Sequence, residues 1–206
     1  MSPEHYASLA LTPLKLEPVT LAGRHVRLEP LGLPHVEALA AAGTDPAIWA
    51  WMPQDHSTPE GMRVFVDTAL AWQAAGHALP FVLVQPGSGR VIGSSRFMQI
   101  ETAHRRAEIG ATWLSPAYQR TAANTEAKYL LLRHAFETLG LIRVEFKTDS
   151  NNQRSRAALA RIGATEEGTF RNHMLVQGGR LRHSVYFSVI DSDWPAVKAG
   201  LECKLA

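Results

Sequence analysis

The chain has 206 residues, with 21 Lys plus Arg against 19 Asp plus Glu, for a formal charge of +2. Hydrophobic residues make up 46% and charged residues 19%, so a disordered or fibrous chain is excluded and one domain with extensions is expected. No apolar run approaches the ~18 residues of a membrane helix, the first residues carry no basic region of a signal peptide, and a single cysteine, Cys203, allows neither an internal disulfide nor a cysteine-built metal site.

These features predict a cytoplasmic protein with no metal and no membrane partner. Positions 1–100 hold 6 basic and 8 acidic residues, and positions 101–206 hold 15 basic and 11 acidic. That imbalance falls far short of the basic stripe of a nucleic-acid binder, so no nucleic acid is expected as a partner. It is compatible with one phosphate-bearing small molecule held by the second half.

In chain order, residues 1–21 have three prolines and no clear period, and read as an N-terminal arm. Residues 24–29 alternate as a strand. Pro34 starts a short helix running to about Ala42, and Thr58-Pro59-Glu60 starts a longer one ended by Gly76. The period then changes to two. Residues 79–85 and 90–100 flank Pro86-Gly87-Ser88-Gly89, a hairpin signal. Residues 107–114 form a third strand, with Ile109, Ala111 and Trp113 expected on one face and Glu108, Gly110 and Thr112 on the other. A loop at 115–124 leads into a helix over 125–139, stopped by Gly140. A strand at 144–148 and a helix capped by Asn152 and running to Ile162 follow. Residues 170–177 and 181–190 flank Gly178-Gly179, a second hairpin signal. The expected fold class is α/β (α+β): a mixed, mostly antiparallel central sheet flanked by helices. The domain spans 22–190, and residues 191–206 form a tail.

The junction from strand to helix is where chemistry is expected. A helix start presents N–H groups without internal partners and a partial positive charge. The small residues Thr121, Ala122, Ala123, Asn124 and Thr125 let an anion approach, and Arg120 adds a full charge. The plainer reading is an ordinary capped helix with Asn124 or Thr125 as the cap. Neither G-x-x-x-x-G-K-[ST] nor G-x-G-x-x-G is present.

The stretch from Glu108 to Gln119, the loop into Thr125-Glu126-Ala127, the segment Asp149-Ser150-Asn151-Asn152-Gln153-Arg154-Ser155 and the run Arg161-Ile162-Gly163-Ala164-Thr165-Glu166-Glu167-Gly168 together resemble the GNAT superfamily of acyl-CoA-dependent N-acetyltransferases. The likeness is strongest to the RimJ/RimL-like branch. The family's pyrophosphate loop reads Q/R-x-x-G-x-G/A; here Ala122 and Asn124 stand where glycines are usual. A left-handed backbone at either would weaken coenzyme binding, whereas a helical one would tolerate it.

The resemblance implies acetyl-CoA as co-substrate. It places the backbone N–H groups of Gln119, Arg120, Thr121, Ala122, Ala123, Asn124 and Thr125 on the CoA pyrophosphate. It places the backbone of Trp113 and Leu114, with Asn152 opposite, along the pantetheine arm, and Ser155 near the thioester sulfur as proton donor. Attack by an amine on a thioester needs a proton acceptor, a polarised carbonyl and a leaving thiolate. Glu108 is the first candidate base and His173 the second. For both, a structural role is a standing alternative: Glu108 as a solvated or Arg-paired strand residue, His173 as a packed histidine. Trp49, Trp51 and Trp72 are candidates to line the acceptor site, with core burial the expectation for Trp72.

The expected activity is transfer of an acetyl group to a primary amine, a protein N terminus or a small amine, in a ternary complex. The alternative is a non-catalytic acyl-CoA-binding or sensing module. The exposed edges of a mixed sheet would permit a homodimer.

Overall fold

In the computed structural model the described residues are Tyr6, Leu14 and 16–206. The expected arm therefore lies largely outside them. Strands β1 (Leu21–Ala22) and β2 (Arg27–Pro30) come first, then helices α1 (Val36–Ala42) and α2 (Pro59–Ala74). The hairpin β3 (Ala78–Val84) and β4 (Val91–Glu101) follows, then β5 (Arg106–Leu114) and α3 (Ala122–Arg133). Next are β6 (Arg143–Asp149), α4 (Gln153–Arg161), β7 (Thr165–Val176), β8 (Arg180–Ile190) and α5 (Trp194–Leu205). The eight strands form one sheet in the order β1-β2-β3-β4-β5-β6-β8-β7. All neighbours are antiparallel except β5 and β6, which run parallel. This is the mixed, mostly antiparallel sheet flanked by helices that the pattern predicts.

Alternation along the strands sorts the core into two layers. Leu79, Phe81 and Leu83 of β3 join a large apolar cluster that also holds Ala127, Leu131 and Leu132 of α3 and Leu159 of α4. Val82 and Val84 face the other way, into a smaller cluster with Leu39 of α1, Met62, Phe65 and Val66 of α2, and Trp49. The sheet is thus a wall between α1–α2 and α3–α5.

Three local features differ from the sequence reading. Helix α3 starts at Ala122, three residues early, because Thr121 in extended backbone (φ −106°, ψ 177°) caps it, its side chain accepting from the Ala123 N–H. Neither Asn124 nor Thr125 is the cap. The end of that helix is a π turn, His134–Thr138. Residues 191–206 carry α5, whose Trp194, Val197 and Leu201 are buried in the larger cluster. The spacing of Trp194, Val197, Leu201 and Leu205 and the proline at 195 are helix signals that the reading of this segment as a tail passed over.

Candidate active site

Two adjacent parallel strands that part open a slot lined by unpaired backbone. β5 and β6 pair only at Arg106↔Arg143, Ala107↔Val144 and Glu108↔Glu145. Beyond Glu108 they diverge. On its other side β5 stays bonded to β4, through a bulge. Ser94 pairs with Trp113 and Arg96 with Gly110, so Ala111 and Thr112 together oppose Ser95. Ala111 takes φ +47° to make this turn. The bulge corrects the predicted face: Ile109 joins the larger cluster, while Trp113 joins the smaller one across the sheet, with Ala111 packed against it. An extra residue in one strand shifts every side chain after it to the opposite face.

The slot ends at the start of α3. Arg120, at φ +61°, is the left-handed residue of this loop. Ala122 and Asn124 are helical, so the missing glycines carry no conformational penalty here and the loop fits a diphosphate. Helix geometry leaves the N–H groups of Thr121, Ala122 and Asn124 without a partner inside the helix, while the ladder proper begins at Thr125. Besides Thr125, two expected donors are already engaged: the Gln119 N–H donates to Pro116 O at 3.2 Å, and the Ala123 N–H to Thr121 Oγ1 at 3.2 Å. The side chain of Gln119 has another task. Its amide donates to Leu114 O at 3.0 Å and its oxygen accepts from the Arg154 guanidinium, bridging the β5 side of the slot to α4. Arg161 of α4 makes a second bridge, donating to Thr125 Oγ1 at 3.1 Å. On the far side Asn152 caps α4, its Oδ1 accepting from the Ser155 N–H at 3.0 Å.

Glu108 occupies the wall where the strands part. It is 4% exposed and sits 3.1 Å from Lys147 Nζ. Burial pushes its carboxyl above the usual range, and Lys147 pulls the other way. Gly110 leaves room beside it: a Cβ there would lie 2.8 Å from both Glu108 Oε1 and Met98 Sδ, and those side-chain ends would have to shift. His173 of β7 belongs to the same cluster through intermediaries. Its Nδ1 is 2.9 Å from Ser184 Oγ and its Nε2 is 3.5 Å from the Tyr186 hydroxyl, while Lys147 lies 5.9 Å from the Tyr186 ring centre. Burial, then Lys147 and Arg182, lower the His173 pKa, which keeps it neutral near pH 7.

A family model described as an acetyltransferase (GNAT) domain matches residues 25–165. The chain belongs to the GNAT acetyltransferase family. A crystal structure of a GCN5-related N-acetyltransferase from Brucella melitensis is 35% identical, with a TM-score of 0.86, over 95% of this chain and 89% of that one. YdaF of Bacillus subtilis, provisionally named a ribosomal N-acetyltransferase, is 33% identical over 111 residues, 53% of this chain and 59% of YdaF. The chain thus spans about three-fifths of the length of that curated relative. Mycobacterium smegmatis RimJ, solved in complex with a CoA disulfide, shares the fold at 22% identity and a TM-score of 0.77, covering 94% and 97% of the two chains.

In this GNAT protein several site residues carried no sequence signal. Lys147 and Tyr186 link Glu108 to His173. Lys128 of α3 is buried, and its ammonium donates to Thr112 Oγ1 at 2.7 Å, which in turn lies 2.7 Å from Ser95 Oγ. The triad ties α3 to both strands of the bulge. Burial lowers the Lys128 pKa to about 7. The tryptophans are distributed differently from the expectation: Trp49 is core, 1% exposed, while Trp72 is 39% exposed. Among the described residues no three His, Cys, Asp or Glu side chains group as a metal site, and no helix is long and apolar enough to cross a membrane.

Proposed function

We propose that the protein is an acetyl-CoA-dependent N-acetyltransferase that acylates a primary amine by direct attack in a ternary complex. The observation that carries this is the buried Glu108 carboxylate on the wall where β5 and β6 part, in a chain of the GNAT family. The N–H groups of Thr121, Ala122 and Asn124, with Arg120 beside them, hold the coenzyme's diphosphate at the positive end of α3. The open backbone edges of β5 and β6 take the pantetheine arm as an added strand, with Trp113, Leu114 and Asn152 along it. Bound coenzyme supplies the acyl thioester.

The protein's residues then manage protons. An amine near pH 7 is mostly protonated and cannot attack. Glu108 removes that proton, directly or through a water, and its raised pKa makes it a better base than a solvated carboxylate. Lys147 steadies the ionised form. Ser155, in the first turn of α4, donates a proton to the departing thiolate. His173 is the second candidate base, neutral and held by Ser184. The acceptor is a protein N terminus or a small amine; the name of YdaF, a ribosomal N-acetyltransferase, favours a ribosomal acceptor.

The test is thiol release from acetyl-CoA across a panel of amines. Glu108→Gln should lower kcat by about 10²–10⁴-fold with coenzyme affinity retained. A larger loss in His173→Gln than in Glu108→Gln would move the base to His173.

A further inference from the structure

One cation of the smaller layer has no hydrogen bond or ion pair among the described residues. Arg96 of β4 is 3% exposed, and its Nε makes no hydrogen bond. No acid forms an ion pair with it among the described residues. Its guanidinium carbon lies 4.5 Å from the Phe65 ring centre and 5.6 Å from that of Trp72, both on α2. Burial lowers its pKa only to about 10, so it stays a cation near pH 7. Two aromatic faces compensate a desolvated cation weakly compared with an anion.

The position matters as much as the charge. Arg96 pairs with Gly110 and Met98 with Glu108 across the β4–β5 ladder. Arg96 and Glu108 are therefore diagonal neighbours on one face, a relation that places Cα atoms about 7–8 Å apart. Other cations add to the balance on this side. Arg182 is buried, and Arg180, bonded to Asp149, leaves its Nη2 buried without a partner. With Arg96 and Lys147 they outnumber the nearby carboxylates Glu108, Asp149 and Glu145, the last of which is already paired with Arg106 and Arg143. Trp72, one of the two rings over Arg96, is itself 39% exposed, so the cover over that cation is a surface side chain.

We propose that Arg96 docks a carboxylate carried by the amine acceptor, so that the substrate class is amines with a carboxylate a few ångströms from the nitrogen. The proposal rests on the transferase reading above and narrows its acceptor. Arg96 forks onto the carboxylate while Glu108 takes the amine's proton, one group at each end of a short molecule. The carboxylate belongs either to a free amino acid or to an acidic side chain beside a peptide's N terminus.

Two matched pairs distinguish these sources: an amino acid against its α-amide, and a C-terminally amidated tripeptide with Asp second against the same peptide with Asn. In at least one pair the carboxylate member should show kcat/KM higher by about 10- to 100-fold, the range for a hydrogen bond to a buried charge. Arg96→Gln should reduce that preference to within threefold while leaving the KM for acetyl-CoA unchanged, and Arg96→Lys should keep part of it. Equal kcat/KM within both pairs for the unaltered protein overturns the proposal, as does a preference that survives in Arg96→Gln. Should that variant fail to fold, Arg96→Lys decides, since a preference undiminished by losing the fork also overturns it. Should no amine release thiol, the transferase reading fails on its own. Calorimetric titration of the same pairs into the CoA-saturated protein then decides about Arg96: tighter binding of the carboxylate member supports the anion site, and equal binding rejects it.

Discussion

A lysine and a glutamate buried on opposite sides of the sheet illustrate how burial, rather than residue type, sets what a side chain does here. Glu108 and Lys128 are both pushed toward their neutral forms by loss of water, with opposite signs of shift. For Glu108 the consequence is kinetic. With its pKa raised, the acidic limb of kcat/KM should lie above the usual carboxylate range, and Glu108→Gln should abolish that limb along with most of the turnover. A pH profile unchanged in shape for the variant would remove Glu108 from the reaction. For Lys128 the consequence is stability. Its folded pKa of about 7 lies below the ordinary 10.5. Below pH 7 the full penalty for a buried ammonium is present, and it is relieved as pH rises toward the unfolded value. Thermal unfolding should show the unaltered protein gaining on Lys128→Met from pH 7 to 9, by up to about 1.4 kcal/mol per pH unit. A flat difference would mean the ammonium is solvated. Glu108 was a candidate in the sequence through its place on the strand before the loop, but its burial was not legible, since an acid on a strand is commonly solvated. Lys128 was not a candidate, because its burial depends on Thr112 being turned toward α3 by the bulge, and a bulge has no marker when an alanine makes it.

Helix α3 and the loop before it show the same limit at the scale of an element. The strand, the loop and the helix were all legible from period and composition, but the helix start was not. Thr121 competes with Asn124 and Thr125 as a cap, and only the extended backbone at Thr121 decides it. The shift of one turn reverses the meaning of the missing glycines. Ala122 is a good helical residue in the first turn, so Ala122→Gly should leave the CoA dissociation constant within about twofold and cost about 0.5–1 kcal/mol of stability. A much tighter complex would show that the backbone there is not helical when coenzyme binds. The strain sits instead at Arg120. Arg120→Gly should relieve the left-handed backbone, leaving the melting temperature the same or higher, yet weaken coenzyme binding most at low salt, because the lost charge acts on a phosphate. Equal binding at 50 and 500 mM salt for both proteins would show that Arg120 does not reach it.

At the scale of the whole molecule, the order of strands and helices followed from hydrophobic period and turn residues, and the sheet's mixed character followed from that order. What the sequence concealed was long-range attachment. Glu126, beside Thr125 in α3, accepts from the N–H groups of Arg24, His25 and Val26 at 2.9, 2.6 and 2.8 Å, roughly 100 residues away. Its carboxylate fills the space next to Gly23, where a Cβ would meet it at 2.4 Å. Gly23→Ala must displace that acid from a buried site, and its melting temperature should fall by at least 5 °C, consistent with losing one or more charged hydrogen bonds of about 1.5–3 kcal/mol each. An unchanged melting temperature would mean the turn moves freely away from α3. The β7 edge strand was recognised only from residue 170 for a related reason: residues 165–169 are exposed or half exposed and lack alternation, so only pairing with β8 reveals them.

If the slot between parting strands, closed at one end by the start of α3, orients a thioester for an amine, the coenzyme must lie in it. A crystal structure of the full chain with bound CoA tests it most directly. Diphosphate oxygens should lie within hydrogen-bond distance of the Thr121, Ala122 and Asn124 N–H groups, with the pantetheine running between β5 and β6 toward Glu108. Coenzyme bound elsewhere, or that slot filled by side chains in the complex, would contradict it.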